Sequence, residues 1–540
     1  MIDITRVGPR VLWGACVLAF VPALFLFPVW NRIFAGHPGA TVLSTFISWL
    51  WIAVIFVSAV ALWQGKESRL FGLTGYIGCL STALSGFWLL VFYPAVMSVD
   101  ALGQWQQALA DRYSTWNPPL LPMLMHLTQY FVKTPALLSF IQGSLFWGAL
   151  FYLIRQVAKG NRAFLAHSAL VTLLPPLWLY SNATISMTWG ASFLLLAMAF
   201  LIRSVHGRKE AALFLSILSL SIAVMFRREA VLCVIVPIVI YLFYFPQKSG
   251  WLKKAVITVV MIVLSVAPGR ILELSPHVAR ISKSQVHGVF TQYVGTVVHS
   301  MRRMSPSEID MERRSIDAEF GKGVFQKLIQ RYDCSSGDYI IFKRDFPPVL
   351  RRIPNEKNLF ILKKVIRTAI RHPGGYLKHQ LCYFGYLSQF SEIGYQSWGV
   401  LKADPKYEAG RARLGIPYSS RLPSIKAGYI KLMNFLLGHP VFSLIFRHYI
   451  FLLFSAVFLG LGLHTRRIEW IIPSLVSLVY VLAFLLAGPA ALWRYLLTSY
   501  LAAWVCLPTV VSSIFSPARK PREKETGKKG PEIPADPAAR

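Results

Sequence analysis

The sequence predicts an all-α polytopic membrane protein with about twelve transmembrane helices and a mainly helical extracytoplasmic domain. Two observations predict this class. Hydrophobic residues make up 55% of the 540 residues, and the mean hydropathy is +0.50. The charged residues fall in clusters that separate long apolar runs, and most of these runs are long enough to cross a bilayer. This pattern excludes an ordinary soluble enzyme.

The chain is strongly basic, with 56 lysines and arginines, 24 acidic residues and a net charge of +32. Lysines and arginines in short cytoplasmic loops explain most of such an excess, because they orient the spans and attract anionic lipid. No recognisable nucleic-acid module accompanies them, so nucleic acid is not an expected partner. The excess continues in the hydrophilic segment after residue 272, which indicates contact with membrane lipid or with a phosphorylated substrate.

Apolar runs of about twenty residues predict the spans, and shorter runs are accepted where the chain breaks inside protein. The first run follows Arg6 and Arg10 as in a signal peptide. It is long enough to span and lacks a convincing small-residue cleavage site, so we expect an uncleaved helix. The predicted spans are Val11–Trp30, Thr41–Trp63, Phe71–Pro94, Ala136–Leu153, Phe164–Tyr180, Ile185–Ile202, Ala211–Phe226, Ala230–Phe245, Ala255–Leu272, Phe442–Leu463, Trp470–Ala487 and Arg494–Phe515.

The basic clusters fall on every second loop, which is the positive-inside pattern of a multi-pass protein. The pattern places both termini in the cytoplasm, and we expect the membrane to be the cytoplasmic (inner) membrane of a bacterium. Asp100, Arg227, Arg228 and Arg494 then lie on the extracytoplasmic face, together with the hydrophilic segment 273–440.

Four regions follow from this layout. They are an N-terminal transmembrane module over 1–272 with its first large loop at 94–134, an extracytoplasmic domain over 273–440, C-terminal transmembrane helices over 441–516 and a charged cytoplasmic tail over 517–540. The 273–440 segment is too long for a loop without structure of its own. Within it, Pro306–Phe320 opens on a Ser/Glu start signal and Asn355–His372 has apolar residues at helical spacing, so both are predicted helices. The composition of the tail is typical of disorder.

The six cysteines show no metal-ligand spacing. Four of them lie in apolar spans, where cysteine is usually a small buried hydrophobe. Cys334 and Cys382 both lie in the 273–440 segment, and they could pair if that segment is extracytoplasmic. Two thiols do not establish a disulfide, so the pairing stays open at this point.

The first large loop holds the sharpest candidate for chemistry, Asp100. It lies about one helical turn beyond the third predicted span, where a carboxylate is tolerated at the edge of the hydrocarbon. There it either accepts a proton from a nucleophile or simply marks the interface. Asp111 is a second acid or, alternatively, a solvated loop carboxylate. Amides and aromatic rings of the kind that bind sugars follow Asp100 at Gln104, Trp105, Gln107, Tyr113, Trp116 and Asn117.

Arg227 and Arg228 lie between two short spans, on the face that the positive-inside rule disfavours for arginine. Such a pair needs an anionic partner. Glu229 could neutralise one arginine, and a phosphate or pyrophosphate could bind the other. Arg494 at the start of the last span raises the same two alternatives. The histidines show no metal spacing, and the chain has no Walker loop, dinucleotide fingerprint or nucleophile elbow.

The order of a span, then YPAVMSVDALGQWQQAL and YSTWNPPLLPML, resembles the membrane-embedded glycosyltransferases of the GT-C superfamily. It is most similar to bacterial members with a P-x-x-x-S-x-D-x-x-x-Q-W-x-Q-A first loop. Trp493–Tyr495 resembles the R-Y opening of a late span in that family, and HPGGYL at His372–Leu377 resembles its H-P-x-x-Y-L element. The match covers most of the chain as architecture but only Tyr93–Pro122 as a long motif.

The resemblance implies a bundle of transmembrane helices with an extracytoplasmic part, a polyprenyl-phosphate or -pyrophosphate sugar donor, and a catalytic acid at Asp100. Arg227 and Arg228 would form a basic site for the lipid phosphate at the membrane edge. The chain departs from the family at Thr115 and Asn117, where relatives carry D-x-HPP, and at Thr188–Trp189, where many carry Lys-Asp. A second acidic residue and a divalent cation therefore stay open, and no cofactor is certain.

The function expected from these residues is transfer of a hexose or pentose, with inversion, from a polyprenyl-phosphate donor to an envelope glycan or lipid acceptor. Asp100 would deprotonate or orient the acceptor hydroxyl, while Arg227, Arg228 and Arg494 stabilise the departing phosphate. Gln104, Trp105 and Asn117 would contact the substrate. The alternatives are an O-antigen-type polysaccharide polymerase or ligase, a transporter of a lipid-linked substrate, and a non-catalytic envelope assembly protein.

Overall fold

The structure is a computed structural model of the chain. It describes residues 42, 45, 48, 52–55, 57–60, 62, 73–207, 209–245, 251–281, 284–337, 340, 346–351, 353–389, 405–416, 420–488 and 493–515. The predicted span Val11–Trp30 and the predicted tail 517–540 lie outside these residues, and the predicted span Thr41–Trp63 lies only partly within them.

The N-terminal half of the described chain is a succession of helices. They are α1 (Leu73–Val91), α2 (Val99–Leu109), α3 (Leu120–Gln129), α4 (Ala136–Val157), α5 (Asn161–Thr172), α6 (Pro175–Asn182), α7 (Ser186–Gly207), α8 (Glu210–Phe226), a 3-10 helix (Arg228–Val234), α9 (Ile235–Tyr244) and α10 (Trp251–Glu273). α4 packs against α1 and α7, and α7 packs against α8. Their inward faces form one large hydrophobic core.

The segment that follows is also mainly helical, as predicted from its length. It contains α11 (Ser284–Ser300), a 3-10 turn (Met301–Arg303), α12 (Pro306–Phe320), α13 (Val324–Arg331), α14 (Pro348–Arg351), a 3-10 turn (Asn355–Lys357), α15 (Asn358–Arg371), α16 (Pro373–Leu387), α17 (Pro405–Arg413) and α18 (Pro423–Gly438). The last part of the described chain contains a 3-10 helix (Phe442–Phe446), α19 (His448–Thr465), α20 (Ile468–Ala487), a 3-10 turn (Trp493–Leu496) and α21 (Leu497–Phe515).

Six described helices are long and apolar enough to cross a membrane, and a seventh is added if α5 and α6 count as one span. The all-α membrane class is confirmed, whereas the count of twelve spans is not. The structure breaks the fifth predicted span by a 77° bend between α5 and α6. Pro175 and Pro176 occupy the first turn of α6, and proline cannot continue a preceding helix without losing a backbone hydrogen bond. The eighth predicted span likewise divides into the 3-10 helix and α9.

Segment 284–365 has a hydrophobic core separate from that of the membrane helices. α12 begins at the predicted residue with a capping box, in which Ser305 and Glu308 satisfy each other's backbone N–H groups. α15, with the 3-10 turn before it, occupies the second predicted helix. Cys334 and Cys382 form a disulfide, with their Cα atoms 6.1 Å apart. The disulfide answers the pairing question that the sequence left open.

Two short backbone pairings tie the first large loop to the rest of the molecule. Strand β1 (Tyr113–Ser114) pairs in parallel with β2 (Val278–Ala279), which follows α10. An isolated parallel bridge joins Val96 to Ala183, just before α7. The loop is therefore attached at both ends of α2, and α2 is held in a fixed position relative to the helices around it.

Candidate functional site

Asp100 lies in the first turn of α2. Ser98 caps this helix, because its hydroxyl accepts a hydrogen bond from the backbone N–H of Ala101 at 3.2 Å. A carboxylate is favoured in the first turn, where the helix dipole is positive. The S-V-D stretch at residues 98–100 therefore folds as a helix cap followed by an acid in the first turn of α2.

Arg494 is the partner of Asp100. Its Nη2 donates to Oδ2 of Asp100 at 2.7 Å, although the two residues are 394 positions apart. The Arg494 side chain is 15% exposed and the Asp100 side chain is 53% exposed. The arrangement is a nearly buried cation that holds a half-exposed carboxylate, so solutes can reach the carboxylate.

Arg227 lies close enough to Arg494 for their charges to interact, and it contacts the ring of Tyr495. Its guanidinium carbon is 5.2 Å from the centre of the Tyr495 ring, within the range of a cation–π contact. Its Nη2 is 3.0 Å from Oε1 of Glu229, and both side chains are buried. Gly190 makes room for the arginine, since a Cβ there would be 2.8 Å from Cγ of Arg227.

Arg228 has a different set of partners. Its Nη2 donates to Oε1 of Glu273 at 2.9 Å and to the backbone oxygen of Thr115 at 2.9 Å. Its Nη1 reaches the backbone oxygen of Trp116 and Oε1 of Gln285, each at 3.4 Å. Burial lowers the pKa of Arg228, and the carboxylate of Glu273 opposes that shift. Arg228 therefore joins the middle of the first loop to α10 and α11.

The other residues predicted to contact substrate do not all lie at the protein surface. Trp105 is 1% exposed and belongs to the core, and Gln104 is also buried. In this conformation Trp105 has no ring face open to a sugar, contrary to the expectation, because the Ala101, Trp105 and Ala108 face of α2 packs inward. Asn117 is partly exposed, in the turn after β1. The substrate-binding roles of these residues stay predictions.

Thr115 is one of the two first-loop residues at which the sequence differs from the GT-C pattern that it was expected to follow, and it makes structural contacts. Its backbone N–H donates to the oxygen of Ala279 at 3.0 Å, and its hydroxyl donates to the oxygen of Ile281. The residue therefore extends the β1–β2 pairing.

Asp111 joins two histidines that the sequence did not connect with it. Its Oδ2 is 3.1 Å from Nδ1 of His277, and its Oδ1 is 4.0 Å from Nε2 of His126. Tyr113 donates its hydroxyl to Oδ1 at 2.7 Å, and this hydrogen bond, with the two histidines, lowers the pKa of Asp111. Asp111 has φ of 47° and ends α2 with the left-handed residue of a Schellman cap. The sequence carried no signal for this cluster, because His277 lies 166 positions from Asp111 along the chain.

Glu229 and Glu273 are the residues that sequence reasoning undervalued. Glu229 was considered as a partner for one arginine, and the structure pairs it with Arg227. Glu273 stands just after the ninth predicted span and was not considered, although a carboxylate at a span end is a natural partner for an arginine on the same face. Among the described residues, no group of three or more His, Cys, Asp or Glu side chains could hold a metal ion. A divalent cation stays an open expectation.

The three arginines of the site and its three carboxylates therefore form three ion pairs, and Gln285 links two of them. Asp100 binds Arg494, Glu229 binds Arg227, and Glu273 binds Arg228. A phosphate that binds one of these guanidinium groups competes with a carboxylate for its N–H donors. Displacement is easiest where the carboxylate is exposed and the arginine has the fewest other contacts.

Comparison with known proteins does not assign the chain to a family. No protein-family model matches the chain, and neither the curated proteins nor the solved structures contain a match. The resemblance to GT-C glycosyltransferases therefore stays a prediction that rests on the residues of the first loop and of the arginine sites.

Proposed function

We propose that the chain is an integral membrane glycosyltransferase that moves a sugar from a polyprenyl-phosphate donor to a glycan or lipid acceptor of the cell envelope. The observation that carries the proposal is the 2.7 Å contact between Asp100 and Arg494. It joins a candidate proton acceptor to a candidate phosphate-binding group. Direct glycosyl transfer to a hydroxyl requires both groups at one reacting centre.

In the proposed reaction, the acceptor oxygen attacks the anomeric carbon as the bond from that carbon to the phosphate oxygen breaks. The acceptor proton passes to Asp100, and the bonding electron pair leaves with the lipid phosphate. Arg494 stabilises the negative charge that develops on this phosphate. Because the attack and the departure occur on opposite sides of the carbon, the transfer inverts the configuration.

The exchange of partners at Arg494 is central to this mechanism. In the structure Arg494 holds Asp100, and the carboxylate is half-exposed. A donor phosphate that binds Arg494 releases Asp100 to receive the acceptor proton. Arg227 lies deeper and contributes a second positive charge. Arg228 is engaged by four acceptor groups, so we assign it to positioning of the loop and not to phosphate.

The proposal also includes a topology in a bacterial inner membrane, with about twelve spans and both termini in the cytoplasm. Short apolar helices such as α8 and broken ones such as α5–α6 would complete the count beyond the six long helices. Two observations support the side of the membrane. The basic clusters lie on alternate loops, and a disulfide such as Cys334–Cys382 suits an oxidising compartment outside the cytoplasm.

Glycosyl transfer by the purified full chain in nanodiscs tests the function. Labelled polyprenyl-phosphate sugars serve as donors, and transfer or donor hydrolysis is the readout. We expect the Asp100→Asn variant to lose activity by a factor of about 10²–10⁴ while it folds normally, because it cannot accept the proton.

Asp111→Asn is the matched control, since it removes a carboxylate of the same loop that pairs with His126 and His277 and not with Arg494. The control should keep most of its activity. Near-normal turnover in Asp100→Asn contradicts the proposal. Donor binding without turnover in the unmodified chain contradicts an enzyme and favours a transporter.

A further inference from the structure

A groove opens between α8 and α10, beneath the first large loop. It encloses about 520 Å³ of space, including its open mouth. Pro118 and Pro119 of the loop cover one end. The walls are apolar along most of their length and are formed by Val224, Met225, Val231 and Val266. A groove with these walls fits a hydrocarbon chain better than a polar solute.

Gly269 keeps this groove open. A Cβ at this position would lie 3.8 Å from Cγ of Met225 across the groove, which is an ordinary contact distance. Any side chain longer than alanine would therefore extend into the space between α8 and α10. The glycine provides a position at which the groove can be filled by substitution.

The helix that forms one wall is the most exposed of the long apolar helices in the described chain. Only 11% of the most apolar window of α10 is buried, compared with 72% for α7, and the mean hydropathy of that window is 2.2. An apolar helix with so little protein cover must contact hydrocarbon when the protein is in a bilayer. The side of the groove that α10 forms therefore lies at the lipid-facing surface of the protein.

The mouth of the groove carries an excess of positive charge. Arg228, Arg270 and Glu273 line it, so two guanidinium groups face one carboxylate. Glu273 is shared by both arginines, with Nη1 of Arg270 at 3.2 Å from Oε2. The Arg270 side chain is 65% exposed and can reach a phosphate at the membrane surface.

The groove is separate from the Asp100–Arg494 site. Asp100, Arg227 and Arg494 are not among the residues that line it. A lipid seated here would place its phosphate on Arg270, so it would not present a reacting centre to Asp100. We propose that the groove holds one acyl chain of an anionic membrane phospholipid, with the lipid phosphate on Arg270. This inference does not depend on the proposed glycosyl transfer.

Photochemical labelling tests the assignment. The full chain is placed in nanodiscs that contain phosphatidylglycerol with a photoreactive group on one acyl chain, and the labelled peptides are mapped. We expect label on the peptides that contain Met225, Val231 and Val266. The Arg270→Gln variant should lose this label about fivefold, the effect of removing one cation near a lipid phosphate.

Gly269→Leu should abolish the same label by filling the groove. Val259→Leu is its control, since Val259 is exposed on the same helix and is not part of the groove lining. Asp100→Asn should keep the label, which separates a failure of this inference from a failure of the proposed function. Arg270→Gln does not change the packing of the helices, so it tests the assignment even if Gly269→Leu fails to fold.

Two outcomes overturn the proposal. One is equal labelling of these peptides in the unmodified chain, Arg270→Gln and Gly269→Leu. The other is displacement of the photoreactive phospholipid by an equimolar amount of polyprenyl phosphate, which would make the groove a seat for the isoprenoid chain of a donor.

Discussion

Two ion pairs hold the first large loop, one near its start and one at its middle, and they differ in their construction. Asp100–Arg494, near the start of the loop, is an ion pair to a half-exposed carboxylate, and Arg494 also lies over the ring of Tyr495. Arg228–Glu273 is a largely buried pair reinforced by the backbone oxygens of Thr115 and Trp116 and by one amide. A pair with an exposed carboxylate can exchange its partner at little cost, whereas breaking the second leaves several acceptors without a donor. The comparison supports the proposal that the first pair takes part in the chemistry and that the second holds the loop in place.

The largest effect on activity should come from Arg494→Gln. The variant removes the cation that would stabilise the departing phosphate, and we expect transfer to fall about 10²–10³-fold. Its thermal stability should change little, because the carboxylate left behind is half-exposed to water. Transfer kinetics and thermal unfolding in the same nanodiscs measure both quantities. Equal activity in Arg494→Gln and the unmodified chain would contradict a chemical role for the Asp100–Arg494 pair.

Arg228→Gln should show the opposite behaviour. Glu273 and the oxygens of Thr115 and Trp116 would lose their donor in a largely buried position, so we expect a loss of about 3 kcal/mol in the free energy of unfolding. Arg270→Gln is the control, since it removes the exposed partner of the same carboxylate and should cost less than about 1 kcal/mol. Denaturant unfolding in detergent measures both. A greater loss in the control would contradict the structural role of Arg228.

Gly190→Ala tests whether the position of Arg227 matters for the Asp100–Arg494 pair. The added methyl group would be 2.8 Å from Cγ of Arg227, so the arginine must shift, and we expect a cost of about 1–3 kcal/mol with reduced transfer. Gly148→Ala is the matched control on α4, where the nearest side-chain atom would be 3.6 Å away. It should be neutral or slightly stabilising, because alanine favours a helix. Indistinguishable unfolding of the two variants would count against tight packing at Gly190.

The smallest effect should come from Asp111→Asn, and it should depend on pH. The hydrogen bond from Tyr113 and the nearby histidines lower the pKa of Asp111 in the folded protein. A carboxylate whose pKa is lower in the folded protein than in the unfolded chain stabilises the fold at pH values above its unfolded pKa of about 4. This stabilisation is lost as the pH falls through the pKa of the folded protein. The melting temperatures of the variant and the unmodified chain should therefore differ slightly at neutral pH and converge in acid. A difference in melting temperature that grows in acid would contradict the lowered pKa of Asp111.

Local patterns in the sequence were reliable because their causes are local. The Ser/Glu signal predicted the start of α12 at Pro306 exactly, since a capping box involves only residues three positions apart. The apolar runs around α4, α7, α10, α20 and α21 each contain a helix long enough to span. Hydropathy did not predict the bend at Pro175, because mean hydropathy is blind to backbone breaks. It did place the end of the seventh span at Phe226, where α8 ends.

The sequence by itself determined the membrane class, the helix start signal at Ser305 and Glu308, and the presence of an acid just beyond a span. Only the tertiary structure decided which carboxylate meets which arginine, that Trp105 faces the core, and that Cys334 meets Cys382. The physical reason is the distance along the chain over which each cause acts. Hydropathy and capping are set by neighbours along the chain, whereas a contact such as Asp100–Arg494 depends on how every intervening helix packs.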